Sequence, residues 1–237
     1  MKIDIISIFP EFFDRFLDNS IIKSALIKDK VKINIINLRD YSKNKHNKVD
    51  DTPYGGGAGM LMQFPPIYDA IMDLKKDNTK VIYLSPQGKL HSQGIAIELA
   101  SYQHLIFICG HYEGIDERVL QFVDYEISIG DYVLTGGELA AMVVTDSIVR
   151  LLPGVIEEES VTTDSLYNGL LKYPQYTKPE EYMGYKVPEV LLSGHHQNIA
   201  KWREYMSVSQ TLNKRPDLLE GKELNNSLKK ILEELKK

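Results

Sequence analysis

Five short runs of β-branched and apolar residues punctuate the first 130 residues: KIDIISIF (2–9), VKINIINL (31–38), KVIYLS (80–85), HLIFICG (104–110) and YEISIG (125–130). Each is too short for a helix and rich in residues that fit a pleated surface. Most are followed by a turn cluster and then a helical pattern. The spacing predicts helices over Pro10–Ile27, Pro65–Lys76, Ser92–Ala100, Glu117–Phe122 and Gly137–Leu152. Strand and helix alternating in this way imply an α/β domain with a mainly parallel sheet. The last helix is apolar on most sides and should be buried, in part against a second subunit.

Pro153 and Gly154 stop that helix, and the texture changes. From Val155 to Pro188 the chain is polar and β-branched, with five tyrosines and no steady period. Beyond Gly194 it turns helical again through NIAKWREYMSVSQTL, breaks at Arg215-Pro216, and ends in ELNNSLKKILEELKK. We therefore expect an α/β ligand-binding domain over 1–160, a flexible linker over 161–172, mobile until a ligand arrives, and a small, mainly helical domain over 173–237. Charge follows the same division. Residues 1–164 hold 16 Lys and Arg against 24 Asp and Glu, a net of -8, whereas residues 165–237 hold 12 against 9, a net of +3. An acidic body with a basic appendage suits a protein that meets a polyanion in one place.

The single cysteine, Cys109, lies in the apolar run LIFICG, which excludes an internal disulfide and suggests a buried thiol in a reducing compartment. Asp4 interrupts the first apolar segment and Pro10 follows it, unlike a secretory signal. No window approaches the roughly 18 unbroken apolar residues of a membrane span. These features predict a cytoplasmic protein.

Nucleotide and hydrolase signatures are absent. Neither G-x-G-x-x-G nor G-x-x-x-x-G-K-[ST] nor G-x-S-x-G occurs, and PYGGGAGM (53–60) has glycines at other spacings. Six scattered histidines and one cysteine offer no structural zinc site. Three glycine-bearing turns remain, each after a predicted strand: Ser85–Gly88, Gly110–Gly114 and Gly130–Gly137. Strand carboxyl ends in a parallel sheet share one edge, where a ligand sits in a crevice. Glu113, Asp116, Asp131 and Glu138 make the expected pocket acidic, with only Lys89 and Arg118 nearby, so it favours a neutral or cationic ligand over a nucleotide phosphate.

The motifs TPYGGGAGMLM (52–62), LSPQG (84–88), CGHYEGIDERV (109–119), SIGDYVLTGGELAAM (128–142), RLLPGV (150–155), DSL (164–166), YPQYTKP (173–179) and VPEVLLSGHH (187–196), with the opening IDIISIFPEFF, resemble the bacterial tRNA (guanine-N1)-methyltransferase family of the SPOUT superfamily. The resemblance runs through nearly the whole chain. It implies a trefoil-knotted cofactor site, S-adenosylmethionine as methyl donor, dependence on magnesium, and a homodimer with active sites shared between subunits. The implied target is N1 of the guanosine at tRNA position 37, beside the anticodon.

Carried over position by position, the resemblance assigns the cofactor to Gly110, Ile129, Gly130, Asp131, Tyr132, Val133 and Leu134. Pro86, Gln87, Gly88, Gly136 and Gly137 support it, and Glu113 lies near the sulfonium. Asp164 matches the general base and Arg150 the cation that stabilises O6 or holds the base. On residue pattern alone Asp164 equally suits a helix N-cap in TDSL, and Arg150 an i,i+4 partner of Asp146. Ser165, Lys178, His195, Lys201, Trp202 and Arg203 are candidates for gripping the anticodon loop. Two positions depart from the usual pattern: Lys172 stands where many relatives carry an acidic residue, and Lys178 where they carry Arg, losing a planar bidentate fork. No magnesium ligand can be named from the residues. Two other functions remain open: a glycine-loop phosphotransferase, which the missing lysine signature disfavours, and a noncatalytic RNA-binding module.

Overall fold

A computed structural model describes residues 1–221 and 225–235. The chain divides into two compact units, Met1–Glu158 and Glu159–Lys237.

The first unit is built on a five-stranded, wholly parallel sheet in the order β2-β1-β6-β5-β7. Its strands are β1 (Lys2–Ser7), β2 (Lys32–Asn37), β5 (Thr79–Leu90), β6 (His104–Cys109) and β7 (Tyr125–Ser128); β3 (Asp50–Asp51) and β4 (Leu61–Met62) form a small antiparallel pair. Both faces of the sheet are covered, which is why the central strand β6 reads as a continuous apolar run rather than an alternating one. Along β6, Leu105, Phe107 and Cys109 enter one core with residues of α2 (Ser20–Ile27), α4 (Gln93–Ala100) and α5 (Glu138–Val149). Ile106 and Ile108 enter the other core, against α3 (Phe64–Leu74).

Two expected helices differ from the structure. Pro10–Ile27 is broken into a 3-10 turn (Pro10–Phe13), the short α1 (Asp14–Leu17) and α2. The break falls where Ser20 adopts φ 52°, a left-handed conformation that no helix propagates. Glu117–Phe122 is a 3-10 helix, opened by the Asp116 side chain accepting the Arg118 N–H. The third difference is in β5. It does not end at Ser85 but loops outward over Ser85–Gly88 and resumes pairing with β7, so that both Leu84 and Lys89 face Ile127. A Cβ on Gly88 would collide with the backbone of Glu126 and Ile127, which makes glycine the residue that lets the excursion lie against β7.

The second unit contains α6 (Glu158–Thr162, its first residue in the other unit), a hairpin of β8 (Glu181–Tyr182) and β9 (Tyr185–Lys186), α7 (Glu189–Leu192), α8 (His196–Lys214) and α9 (Asn226–Leu235). Of the terminal helical pattern expected over 223–237, residues 223, 224, 236 and 237 lie outside the described residues. Among the described residues no helix is long and apolar enough to cross a membrane.

A polar clamp crosses the sheet at its amino-terminal edge. Asp4, fully buried, accepts hydrogen bonds from Asn34 Nδ2 (2.6 Å) on β2 and from Lys2 Nζ (2.5 Å), and pairs with His104 Nε2 (2.8 Å) on β6. His104 Nδ1 in turn meets Thr79 Oγ1 (2.8 Å) on β5. Burial by itself raises the Asp4 carboxyl, but the hydrogen bonds from Asn34, Lys2 and His104 outweigh it and hold the pKa below its ordinary value of 3.8. The stabilisation is therefore complete above that pH and is lost as the pH falls through the depressed folded-state value. Asp4→Ala should lower the stability of the sheet unit at pH 7 by about 3 kcal/mol, because it strands His104 and Asn34 without their acceptor. In urea unfolding, the gap between native protein and variant should close as the buffer is taken below about pH 4.

Candidate active site

The carboxyl ends of β5, β6 and β7 open into a cavity of about 530 Å³ in the first unit. Its walls are the β5 excursion, the turn after β6 and the loop between β7 and α5. Each conformation follows from local chemistry. In the turn after β6, Tyr112 sits at φ 60° and Gly114 at φ 120°, and the Gly114 N–H donates to the His111 carbonyl (3.1 Å). In the loop after β7, Ser128 Oγ accepts the Gly130 N–H (3.2 Å) and donates to the Gly130 carbonyl (3.0 Å). The Tyr132 hydroxyl then donates back to the Ile129 carbonyl (3.2 Å), curling the loop over the cavity.

The loop is fastened to the β6 turn at its far end. Gly137 N–H donates to the Gly110 carbonyl (2.8 Å), and Gly136 bridges His111. A Cβ on Gly137 would lie 2.8 Å from Cys109 Cα and 3.0 Å from Gly110 N, both backbone atoms that cannot yield. Directly beneath, Glu138 at the start of α5 is buried; it accepts from Ser7 Oγ (2.7 Å) and lies 3.4 Å from His111 Nε2. Cys109 is buried against this carboxylate, and burial together with the Glu138 charge pushes its thiol well up, leaving it neutral and unreactive.

Eleven of the thirteen residues assigned to the cofactor line the cavity: Pro86, Gln87, Gly110, Glu113, Ile129, Gly130, Tyr132, Val133, Leu134, Gly136 and Gly137. Gly88 and Asp131 do not; Gly88 acts from behind, by its approach to β7. The acidic residues also redistribute. Asp116 is outside the lining and grips Arg118 through two hydrogen bonds (2.8 and 2.7 Å), and Glu138 supports the floor from below. Glu117 and Glu126 join Glu113 on the wall, and among the described residues no Lys or Arg lines the cavity. Tyr83, Leu61 and His111, missed from sequence, line it too. Burial raises the Tyr83 phenol to about 12, with the charges of Glu126 and Glu117 adding to the shift, so the ring stays neutral. Its residue number carried no signal. His111 did, since it stands inside a glycine turn already singled out.

Asp164 and the candidate RNA contacts belong to the second unit. Asp164 does not cap a helix: α6 ends at Thr162 and a turn follows. Its carboxylate lies 3.3 Å from Lys172 Nζ, and the Ser165 hydroxyl accepts the Lys172 N–H (2.9 Å). Tyr173 lies under the Arg203 guanidinium at 4.8 Å, and Trp202 is 6.4 Å from the Tyr176 ring. Lys201 and Arg203 line the same cavity as Asp164, whereas His195, the residue before α8, and Lys178 are exposed elsewhere on the unit. Arg150 closes α5 in the first unit, its N–H donating to the Asp146 carbonyl (3.2 Å). Among the described residues no group of three or more His, Cys, Asp or Glu is placed to hold a metal ion.

The sequence model of the family tRNA (Guanine-1)-methyltransferase TrmD matches residues 1–221. The chain belongs to this family. A tRNA (guanine-N(1)-)-methyltransferase of Phytoplasma australiense is 58% identical over 237 residues, covering all of this chain and 97% of the relative. One from Clostridium novyi is 58% identical over 98% of this chain and 97% of the relative, and one from Halalkalibacterium halodurans 53% identical over 100% and 98%.

The contact between Gly137 and the end of β6 yields a direct test. Gly137→Ala should cost about 1–3 kcal/mol by overpacking backbone against backbone. Amide exchange should rise most at residues 110–114 and 130–137. Gly94→Ala, whose Cβ would meet only Ser92 Oγ at 3.8 Å inside α4, should leave stability unchanged or slightly higher.

Proposed function

We propose that this protein transfers a methyl group from S-adenosylmethionine to N1 of the guanosine at tRNA position 37, with Asp164 as general base. The observation that carries the cofactor assignment is the donor set of the first cavity: glycine-turn backbone, a neutral Tyr83 and the carboxylates of Glu113, Glu117 and Glu126, with no Lys or Arg among its lining residues. Such a lining disfavours phosphates and suits a sulfonium ligand with an adenine and a ribose to hydrogen-bond. S-adenosylmethionine supplies an electrophilic methyl group when bound there.

The chain's own residues do the rest. Glu113 faces the cavity and orients the positive donor, and the backbone around Gly110, Ile129 and Leu134 holds the base and sugar. Asp164 takes the proton from N1 as the methyl arrives, because loss of that proton makes the ring nitrogen nucleophilic. Arg150 supplies positive charge to the guanine as its electron density shifts towards O6. In the second unit, Lys178, Lys201 and Arg203 neutralise phosphates, His195 and Ser165 contribute hydrogen bonds, and Trp202 and the tyrosines offer stacking faces to an opened anticodon loop.

The trefoil knot, the homodimer and a cytoplasmic site of action belong to the same reading. Val133, Leu139 and Val143 on the last loop and α5 expose apolar side chains beside the cofactor cavity, where a second copy of the chain would cover them. In that dimer Asp164 of one subunit would act at the cofactor of the other.

Labelled S-adenosylmethionine and tRNA transcripts differing only at the nucleotide beside the anticodon test the assignment. Methyl transfer should require guanine there, and Asp164→Ala should lower the rate about 100-fold or more. Equal labelling of both transcripts would refute the specificity, and full activity in the variant would refute the base. Glu113→Gln should weaken cofactor binding, measured by calorimetry, while leaving tRNA affinity unchanged.

A further inference from the structure

The second unit encloses a cavity of about 510 Å³, on whose wall lie Asp164, Lys172, Tyr173, Lys201, Arg203 and Glu204. The Asp164–Lys172 segment is closed on itself: the Lys172 N–H reaches Ser165 Oγ, and the Leu166 N–H reaches the Leu170 carbonyl (2.7 Å) with Leu166 at φ 72°. It is also docked on α8, where Thr211 Oγ1 accepts the Leu171 N–H (2.9 Å) and Ser207 Oγ donates to the Leu171 carbonyl (2.5 Å). The Lys172 backbone is therefore held from both sides. Its side chain is only 20% exposed, and its ammonium sits 3.3 Å from Asp164 Oδ1. A lysine so placed loses little further freedom on meeting a ligand.

We propose that Lys172 is a further catalytic residue, donating a hydrogen bond to O6 of the target guanine while Asp164 accepts the N1 proton. The inference rests on the reading of Asp164 as base. N1–H and O6 are neighbours on the guanine edge, one a donor and the other an acceptor, and the Asp164–Lys172 pair presents the complementary acceptor and donor side by side. As the N1 lone pair forms its bond to the methyl carbon, the C–S pair withdraws to sulfur and leaves a neutral thioether. The N1 proton passes to the Asp164 carboxylate. Lys172 keeps its proton, and its hydrogen bond strengthens as charge moves towards O6, a gain confined to the transition state. O6 has two lone pairs, so this hydrogen bond adds to the positive charge of Arg150 rather than replacing it. The same pair selects against adenine, which sets an unprotonated N1 against the carboxylate and an amino group against the ammonium. Lys201, Arg203 and Glu204 of α8 line the cavity as well, with the Arg203 guanidinium over the Tyr173 ring.

The test is single-turnover methyl transfer by the full chain at saturating S-adenosylmethionine and tRNA, comparing Lys172→Met, Lys172→Gln, Lys172→Arg and Asp164→Asn. Both neutral Lys172 variants should lose roughly 100-fold in the methyl-transfer rate constant. Their tRNA dissociation constants, by filter binding, should move by less than about threefold, the pattern of an interaction made in the transition state. Lys172→Arg should recover most of the rate, and thermal unfolding of all variants should match the native protein. The inference is overturned if either neutral variant folds and keeps a native rate constant, or if the whole loss lies in tRNA affinity. Slow Asp164→Asn with an unimpaired Lys172→Met overturns Lys172 alone; an active Asp164→Asn overturns the base assignment and this inference together.

Discussion

The hydrogen bond from Gly137 to the Gly110 carbonyl seats α5 on the end of β6, and the cavity at the carboxyl ends of the strands depends on it. The two backbones meet so closely that a single Cβ cannot be placed between them. Because the contact is backbone to backbone, it fixes the loop between β7 and α5 at its far end while Ser128 fixes it at the near end. A loop tied at both ends and curled by Tyr132 can present amides and carbonyls in a set arrangement, and little conformational entropy is then lost when a ligand arrives. Gly88 does the equivalent work for the opposite wall, holding the β5 excursion against β7.

The strands of the parallel sheet were legible because both of its faces are buried: β6 is apolar from Leu105 to Cys109, and the other four carry short runs of β-branched residues. The glycine turns Gly110–Gly114 and Gly130–Gly137 were legible for a related reason: each follows a strand and must let backbone pass close to something. The β5 excursion was not. Ser85–Gly88 looks like a strand-ending turn, and only the pairing of both Leu84 and Lys89 with Ile127 reveals that the strand continues. The break in the first helix was also hidden, since Asp18-Asn19-Ser20 carries neither Gly nor Pro, yet Ser20 is left-handed.

In the second unit the limits are of another kind. Asp164 and Lys172 are separated by a stretch with no period, and no propensity argument brings them together. What does so is a loop closed by the Ser165 hydroxyl and anchored by Ser207 and Thr211, three small polar side chains that in a sequence read as ordinary surface residues. The resemblance marked Lys172 only as a departure from pattern; the structure turns that departure into an ion pair with the proposed base.

The acidic residues of the first unit show how burial sorts groups of one charge into separate tasks. Glu113, Glu117 and Glu126 stand on the cavity wall and make it acidic. Glu138 is a few residues from the same wall yet is buried at the first turn of α5, where the unpaired N–H groups of a helix favour a carboxylate. Ser7 from β1 and His111 from the β6 turn supply its side-chain partners. An unpartnered carboxylate at that depth would carry a large desolvation cost, and these contacts offset it only if β1, the β6 turn and α5 are all in place. The carboxylate is thus a condition on assembly: it ties β1, the β6 turn and α5 to one point beneath the cavity floor, so that burial of Glu138 and the shape of the cavity depend on the same three elements.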